Sequence, residues 1–348
     1  MAYLLRFHRN PQQYNPPRQR RERTFRREVF DFDGYTDSEL RARFRFGREG
    51  INLIERMLEE ELQPATGRSC SLSVREQVLI ALRFYACGSY LQVVGDTIGV
   101  DKGTVCRVVR KVSLALCRRK DQLIQFPTDP REKATIRRGF FRIARFPGVI
   151  GCLDGTHIRI TAPTINEPAF VNRKNYHSLN VQAICDHKGR FTNIVAQWPG
   201  SVHDAHIFST SAVGRHLNQN QQPEDGVLLG DSGYACRPYL MTPYLHPVGR
   251  AQRRFNRAHR STRYLIERVF GMWKKRFGCL NIGFRMAPAR VSTIVGACAI
   301  LHNIAINLKE PIPDNVQVPA DNGDMGVQYQ GPQDGRAVRD HLATTYFA

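Results

Sequence analysis

Acidic residues and metal-binding cysteine pairs are both scarce in this sequence. The 348 residues contain 31 Asp and Glu against 51 Lys and Arg, which gives a formal charge of +20 at pH 7. Nine cysteines occur, an odd number, and none of them stands in a CxxC pair. Several, such as Cys185 and Cys298, lie inside apolar runs. The pattern is typical of buried reduced thiols and argues against a disulfide framework or a cysteine zinc site.

Long hydrophobic runs are also lacking. No apolar run approaches the ~18–20 residues that a bilayer span needs. The first residues, MAYLLRFHRNPQQYNPP, contain no secretory hydrophobic segment of useful length. We therefore expect an intracellular protein with no membrane partner. Hydrophobic residues make up 42% of the chain, enough for packed cores, and the length predicts two or three domains.

The excess of positive charge favours a polyanionic partner, either nucleic acid or an acidic membrane surface, over a merely solvated basic surface. Part of it lies in residues 1–38, which are polar, rich in Pro and Arg, and predict a flexible basic arm. Within this arm the segment RQRRERTFRR, residues 18–27, is mostly arginine. A nuclear-localisation signal, a DNA-contacting arm and a solvated tail all fit this composition.

Residues 39–125 predict a helical domain. Ser73, followed three residues later by Glu76, is typical of a helix start. LQVVGDTIG, a tight turn VD, and KGTVCRVVRKVSLAL then form a helix-turn-helix pattern. An ordinary pair of amphipathic helices has the same periodicity. If the pair binds DNA, four valines pack inward and four residues face the DNA: Val105, Val108, Val109 and Val112 on one side, Lys102, Thr104, Arg107 and Arg110 on the other.

Strand and helix patterns predict an α/β fold for residues 149–310, after a connecting helix at 126–148. VIGCLDGTHIRITAP and the two halves of LNVQAICDHKGRFTNIVAQWPG predict three strands, the last two joined as a hairpin. The helical segment HDAHIFSTSAVGRHL leads to a fourth strand, GVLLGDSGY. An irregular insertion at about 236–258 precedes two more helices. We expect a mixed sheet flanked by helices, followed by a polar, acidic tail at 311–348.

Three acidic residues lie in sequence contexts where a carboxylate is unexpected. Asp154 lies at the centre of the first strand, where an unpaired charge is costly to bury. Asp231 ends the fourth strand, and Glu267 lies in the basic helix RRFNRAHRSTRYLIERVFGMWKKRF. Two strands and one packed helix can bring these acids together at a sheet edge. Three hard oxygen ligands suit Mg²⁺ or Mn²⁺, and a pair of such ions can cleave phosphodiesters.

Each acid also has a structural interpretation. Asp154 could cap a strand end, and Asp231 could serve only the Asp-Ser-Gly turn. Glu267 could only pair with Arg263, four residues before it. All three together, in a strongly basic protein, favour the metal interpretation.

A fourth acid, Asp204, follows the third strand in WPGSVHDAHIF. It fits a helix N-cap, and it equally fits a further metal or water ligand. His203 and His206 flank it; they could contact phosphate, orient a carboxylate, or simply lie at the surface.

Six segments resemble, in order, the motifs of the PIF/Harbinger DDE transposases and the Harbinger-derived nucleases: IGCLDGTHI, NRKNYHSLNVQAICDHKGRF, WPGSVHDAHIF, LLGDSGY, IERVFGMWKKRF and AILHNI. The resemblance covers roughly residues 70–308 and is most specific from 149 to 303. It implies an RNase H-like catalytic core that cuts DNA with divalent metal. Asp154, Asp231 and Glu267 match the acidic triad of the family, and Asp204 matches its extra acid.

The resemblance further implies a nuclear protein that acts on terminal inverted repeats beside a separate Myb-like DNA-binding partner. Our main hypothesis is a transposase or nuclease that uses two Mg²⁺ or Mn²⁺ ions to cut transposon ends, then transfers the strand into target DNA as a dimer or larger assembly. The alternatives are a domesticated DNA-binding or scaffold protein, a nuclease without transposition, and, less favoured, an RNA-processing enzyme. The predicted phosphate contacts are Arg173, Lys174, Arg253, Arg254, Arg257, Arg260 and Arg263.

The basic helix carries one geometric expectation. Leu265, Val269 and Trp273 share a face and should pack against the sheet. Glu267 should then point towards Asp154 and Asp231.

Overall fold

The computed structural model of the protein describes residues 32–64, 71–219, 226–312 and 334–348. Nearly all of the predicted basic arm, including the arginine run at 18–27, lies outside these residues. So does much of the predicted tail, although its last part forms a helix.

Seven helices precede the first strand in the described residues. The start of α3 is as predicted, because Ser73 and Glu76 form a reciprocal capping box. The connecting helix is also observed, as α7. The helices are α1 (Asp37–Phe44), α2 (Arg48–Leu62), α3 (Val74–Cys87), α4 (Leu91–Ile98), α5 (Lys102–Arg118), α6 (Lys120–Leu123) and α7 (Pro130–Ala144).

Helices α4 and α5 are joined by a three-residue turn. Gly99 ends α4 in the left-handed region at φ 76°, where glycine carries no Cβ penalty. Asp101 caps α5, because its Oδ1 accepts the backbone N–H of Thr104 at 3.0 Å. The four inward valines of α5 are buried as expected. The helix pair is therefore present, and its use in DNA binding stays a prediction.

The sheet has five strands in the order β3-β2-β1-β4-β5. Neighbours β1, β2 and β3 pair antiparallel, whereas β4 runs parallel to β1 and β5 runs parallel to β4. The predicted mixed sheet and hairpin are confirmed. The strands are β1 (Val149–Arg159), β2 (Ser178–Cys185), β3 (Phe191–Pro199), β4 (Val227–Leu229) and β5 (Leu240–Met241).

The insertion at 236–258 is more ordered than its sequence indicated. Its residues Leu240–Met241 form β5, which is too short to show an alternating pattern. Its end is already helical, because α10 begins at Gly249 rather than near residue 259. Arg, Gln and Ala in this stretch favour a helix, and the side chain of Gln252 accepts the N–H of Val248 just before its start.

Six helices follow β3 in the described residues. The segment predicted as one helix after β3 is two, α8 and α9, separated at Ser211, whose hydroxyl accepts the N–H of Gly214. The remaining helices lie after β5. The bounds are α8 (Asp204–Thr210), α9 (Ala212–Gln219), α10 (Gly249–Arg276), α11 (Cys279–Ile282), α12 (Pro288–Asn307) and α13 (Arg336–Tyr346).

One large apolar core joins the N-terminal helices to the sheet. It includes side chains from α1 to α5, from one face of β1 and β2, and from α10 and α12. A smaller core on the other sheet face holds Ile150, Leu153, Phe208 and Tyr234, so α8 and α9 cover that face. The sheet is therefore covered on both faces, and α10 lies on the face that the N-terminal helices share.

Helix α12 corrects the expectation that no apolar segment approaches membrane-spanning length. Among the described residues it alone is long and apolar enough by length and composition, and 67% of its most apolar window is buried within the fold. Polar residues such as His302 and Asn303 interrupt its run in the sequence, yet both are buried and bonded. Contacts with α5 and β3 show that α12 is a core helix.

Burial of His302 predicts an acid-sensitive fold. Burial lowers the pKa of His302 to about 4, and its Nε2 bonds to the backbone oxygen of Gly189 at 2.9 Å. Because the unfolded pKa is near ~6.5, this neutral histidine stabilises the fold above that pH, and the contribution is lost as pH falls towards 4. The wild type should lose unfolding free energy when the pH falls from 7.5 to 5. His302→Gln should lose about 2 kcal/mol less over the same range, because it has no histidine to protonate there.

Denaturant unfolding at both pH values measures this difference. The matched control is His341→Gln on α13, whose side chain is exposed. Equal pH slopes for His302→Gln and the wild type would show that His302 is not held neutral.

Candidate active site

The register of β1 and β4 places two aspartates side by side. The last paired residues of these parallel strands are Cys152 and Leu229. Asp154 follows Cys152 by two residues, and Asp231 follows Leu229 by two. Both carboxylates therefore leave the sheet at the same level, where β4 has ended and β1 continues alongside β2 alone. The two charges are close enough to interact, since burial and then the charge of Asp231 raise the pKa of Asp154.

Helix α10 brings Glu267 to the same edge. Leu265, Val269 and Trp273 are buried, and α10 contacts β1, β2 and β4, as the sequence predicted. Trp273 meets Phe191 of β3 edge to face at 5.3 Å. This packing fixes the rotation of the helix and turns Glu267 towards β1.

Arg263 joins Glu267 to Asp154. Its Nη1 donates to Asp154 Oδ2 at 2.7 Å, and its Nη2 donates to Glu267 Oε1. The pairing of Glu267 with Arg263 therefore exists, but it reaches further than a helix-surface pair, because the guanidinium also binds a carboxylate on β1. Asp231 contributes as well, since its charge helps to raise the pKa of Arg263.

The positive charge of Arg263 does not fully offset the burial of Asp154 and the negative charges of the acids around it. Burial, and then the charges of Asp231 and Asp204, raise its pKa to about 7 against the opposing effect of Arg263. Only 15% of the side chain is exposed. A strand-cap role does not account for this position, because Asp154 lies inside β1 and not at its end.

Asp204 approaches from the other face of β1. A Cβ on Gly155 would lie 2.4 Å from Asp204 Oδ1, and successive strand residues point to opposite faces. The N-cap interpretation is wrong, because His203 is the cap residue of α8 and Asp204 is its first helical residue. Burial is the main cause that raises the pKa of Asp204.

Two amides of β2 hold Asp204, and the sequence reasoning missed both. Asn180 Nδ2 donates to Asp204 Oδ1 at 2.7 Å, and Gln182 Nε2 donates to the backbone oxygen of Asp204 at 2.8 Å. Gln182 also donates to the hydroxyl of Tyr234 at 3.0 Å. The available signal was the pair of amides two residues apart, on one face of the apolar run LNVQAIC.

Asp231 serves its turn and faces the cluster at once. Its Oδ1 accepts the N–H of Gly233 at 2.9 Å, so the turn interpretation is correct as far as it goes. The two histidines beside Asp204, His203 and His206, both line a cavity of about 680 Å³ together with Gly233, and His206 also packs edge-on against Trp198.

The donor set fits a hard divalent cation. All four acids offer oxygen ligands, which Mg²⁺ and Mn²⁺ prefer. Asp154 and Asp204 are buried close enough to Asp231 for their charges to repel, so a cation would relieve a cost that Arg263 relieves only in part. Within the described ranges, however, no three His, Cys, Asp or Glu side chains are already arranged around a metal position.

Comparison with known proteins decides the family. Residues 153–303 match the model of the DDE superfamily endonucleases. HARBI1 of Mus musculus is 34% identical over 92% of this chain and 93% of its own length. The chain belongs to the PIF/Harbinger family of DDE endonucleases. The resemblance found in the sequence motifs is thereby confirmed.

Other relatives extend the PIF/Harbinger comparison. Human HARBI1 is 36% identical over 80% of each chain, and the ALP1-like protein of Arabidopsis thaliana is 29% identical over 70% of this chain and 63% of its own. No solved structure matches the chain. DDE superfamily nucleases generally use divalent metals, which agrees with the oxygen donors at the end of β4.

The predicted DNA contacts of this PIF/Harbinger chain fall into three places. On α10, Arg253, Arg254, Arg257 and Arg260 are exposed, whereas Arg263 lies among the acids. Arg173 and Lys174 lie in the loop between β1 and β2, and the charge of Arg173 partly opposes the rise that burial causes in the pKa of Asp204. On α5 the candidates are Lys102, Thr104, Arg107 and Arg110.

The α5 candidates are partly engaged within the fold. Thr104 belongs to the helix cap, and Arg107 Nη2 donates to Thr104 Oγ1 at 2.9 Å. Arg110 lines a cavity of about 350 Å³ together with Arg285 and Arg290, which lie just before and in α12. Lys102, Arg107 and Arg110 are nonetheless exposed.

Proposed function

We propose that the protein is a divalent-metal-dependent DNA endonuclease in which Asp154, Asp231 and Glu267 hold the metal. The observation that supports this most directly is the shared arginine. The guanidinium of Arg263 donates to Asp154 on β1 and to Glu267 on α10, two acids that lie 113 positions apart in the sequence. It also interacts with the charge of Asp231. Such convergence of acids from separate elements is costly in a fold and is typical of a cation site.

Bound Mg²⁺ or Mn²⁺ would activate the attacking water and stabilise the leaving oxygen. The protein supplies the rest. Asp154 and Asp231 are fixed by strand pairing, and Glu267 is fixed by the packing of α10. Amides of β2 hold Asp204 against Gly155, so this acid orients water or a further ligand from the opposite face.

The exposed arginines of α10 form a basic row along which the DNA substrate would bind. Arg253, Arg257 and Arg260 are spaced at helical intervals and lead along one face towards Arg263. A duplex lying on this face would place a phosphate at the end of the row, beside the acids. Arg173 and Lys174 would contact the same strand from the β1–β2 loop.

The finer assignment follows the family. We propose terminal inverted repeats of a transposon as the substrate, followed by strand transfer, within a dimer or larger assembly in the nucleus. A Myb-like protein would assist end recognition, and α4–α5 would contribute a further DNA contact. Cleavage of matched RNA duplexes in preference to DNA would overturn the choice of substrate.

The first test is metal-dependent nicking of terminal-repeat DNA by purified protein. Glu267→Gln should lower the nicking rate by roughly 10²–10³-fold, because several kcal/mol of charge stabilisation depend on the metal that it helps to hold. The matched control is Glu132→Gln on α7, whose side chain is exposed and does not belong to the acidic cluster. A Glu267→Gln protein that nicks at the wild-type rate, or nicking that persists in EDTA, would contradict the proposed function.

A further inference from the structure

Arg263 occupies the gap between two of the proposed metal ligands. Its guanidinium uses one terminal nitrogen for Asp154 and the other for Glu267. Its side chain is 18% exposed, and those of the acids are 15% and 25% exposed. The arginine is therefore a partly buried, two-armed cation bound within the acidic cluster, rather than a surface phosphate contact.

A divalent metal and this guanidinium compete for the same oxygen atoms. Two oxygens that share one Mg²⁺ lie at most ~4 Å apart, since each metal–oxygen distance is about 2.1 Å. A guanidinium with one nitrogen on each carboxylate fills the space between those oxygens. It also supplies positive charge to the acids, which lowers the electrostatic gain from a second cation. Joint coordination by Asp154 and Glu267 thus requires Arg263 to leave.

We propose that Arg263 is a switch cation that closes the metal site in the DNA-free protein and opens it when a DNA phosphate takes its guanidinium. This inference rests on the proposed function and adds its regulation. Metal and DNA then bind cooperatively, because each favours the state in which Arg263 has left the carboxylates.

Phosphate is the right exchange partner for Arg263. A planar guanidinium fork binds carboxylate and phosphate with the same two-pronged geometry. The row of exposed arginines ends at Arg260, one turn before Arg263, so a phosphate bound along α10 would arrive next to it. The exchange needs only side-chain rotation, because the backbone of α10 is fixed by Leu265 and Ile266.

Manganese binding to the DNA-free protein tests the switch without any reaction. Titration calorimetry with MnCl₂ should give a Kd for Arg263→Gln at least about 10-fold lower than for the wild type, within the ~5–150-fold range of ordinary coupling. Arg263→Lys, which can hold only one carboxylate, should fall between them. Arg268→Gln is the matched control, because Arg268 is an exposed arginine directly after Glu267 and its loss removes the same charge.

A second titration adds a 30-base-pair DNA duplex as the probe. The duplex should lower the Kd of the wild type for Mn²⁺ by a similar factor and should have little effect on Arg263→Gln. Near-ultraviolet circular dichroism checks that each variant is folded. If Mn²⁺ binds the wild type and folded Arg263→Gln equally well, or binds the variant more weakly, the switch is overturned while the nuclease proposal stands. If Mn²⁺ binds to none of the proteins, with or without DNA, the proposed function itself is overturned.

Discussion

Asp154→Asn is expected to abolish DNA nicking and, in the metal-free protein, to raise the melting temperature. The loss of nicking follows from removing the proposed ligand that shares Arg263 with Glu267 and interacts with the charge of Asp231. It should exceed that of Glu267→Gln, because the side chain of Asp154 is less exposed than that of Glu267, 15% against 25%, and interacts with the charges of both Asp231 and Asp204. The gain in stability follows from the same crowding.

The ionised carboxylate of Asp154 destabilises the metal-free fold. Burial and the neighbouring aspartates raise its pKa to about 7, from an unfolded value near ~3.8. This cost is absent below the unfolded pKa, grows as pH rises, and is complete above the folded pKa. Asparagine keeps an acceptor for Arg263 but carries no charge. In EDTA at pH 8 the variant should therefore melt roughly 2–4 °C higher than the wild type, and most of this difference should be lost at pH 4.

Scanning calorimetry with EDTA and with MnCl₂ separates the two roles of Asp154. Manganese should stabilise the wild type and leave Asp154→Asn unchanged. The control is Asp186→Asn, because Asp186 is fully buried but is satisfied by Arg190 and by backbone N–H groups. That substitution should lower the melting temperature. An Asp154→Asn protein that melts below the wild type in EDTA would show that Asp154 is a structural ion-pair partner.

The parts of the fold that sequence predicted are those with strong local patterns. The capping box at Ser73, the valine face of α5 and the β2–β3 hairpin each depend on residues close together in the chain. Strand β5 was missed because two residues, Leu240–Met241, carry no periodicity. The start of α10 was missed because its first turns are basic and polar, so an apolar stripe does not mark them.

The sequence predicted which acidic residues belong to the candidate site. It did not predict which side chains these acids contact. Asp154 and Asp231 stood out as acids in or after apolar strands, and Glu267 as an acid in a basic helix. The position of Arg263 depends on the register of α10 against β1, which local sequence does not encode. The support of Asp204 by Asn180 and Gln182 depends likewise on the packing of α8 against β2.

Glu310 connects the N-terminal helices to the α/β region through hydrogen bonds to both. Its side chain is 5% exposed and accepts from Arg41 Nε at 2.7 Å and from the backbone N–H of Gly47 at 2.9 Å. Its backbone oxygen accepts from Arg276 Nη2 at 2.8 Å. Glu310, a single residue that follows α12, thus connects α1 and the start of α2 to the end of α10.

Glu310→Ala should lower the free energy of unfolding by about 1–3 kcal/mol, the usual cost of leaving a buried donor unsatisfied, because the ion-pair partner Arg41 is itself 37% exposed. Burial lowers the pKa of Arg276 to about 10, and the charge of Glu310 is the main effect that opposes this. Removing the carboxylate leaves the buried guanidinium without that anion and leaves the N–H of Gly47 without its acceptor. Glu310→Gln keeps an acceptor for Gly47 and should lose about half as much.

Urea unfolding of these variants, followed by far-ultraviolet circular dichroism, measures the loss. The surface control is Asp334→Ala, which removes the exposed partner of Arg237 and should cost less than about 1 kcal/mol. Because α10 carries Glu267 and Arg263, a weakened anchor at its end should also loosen the metal site. The Mn²⁺ affinity of Glu310→Ala should therefore fall even where the protein remains folded. A loss of stability no greater than that of Asp334→Ala would mean that the helices and the α/β region are held together by their apolar core alone.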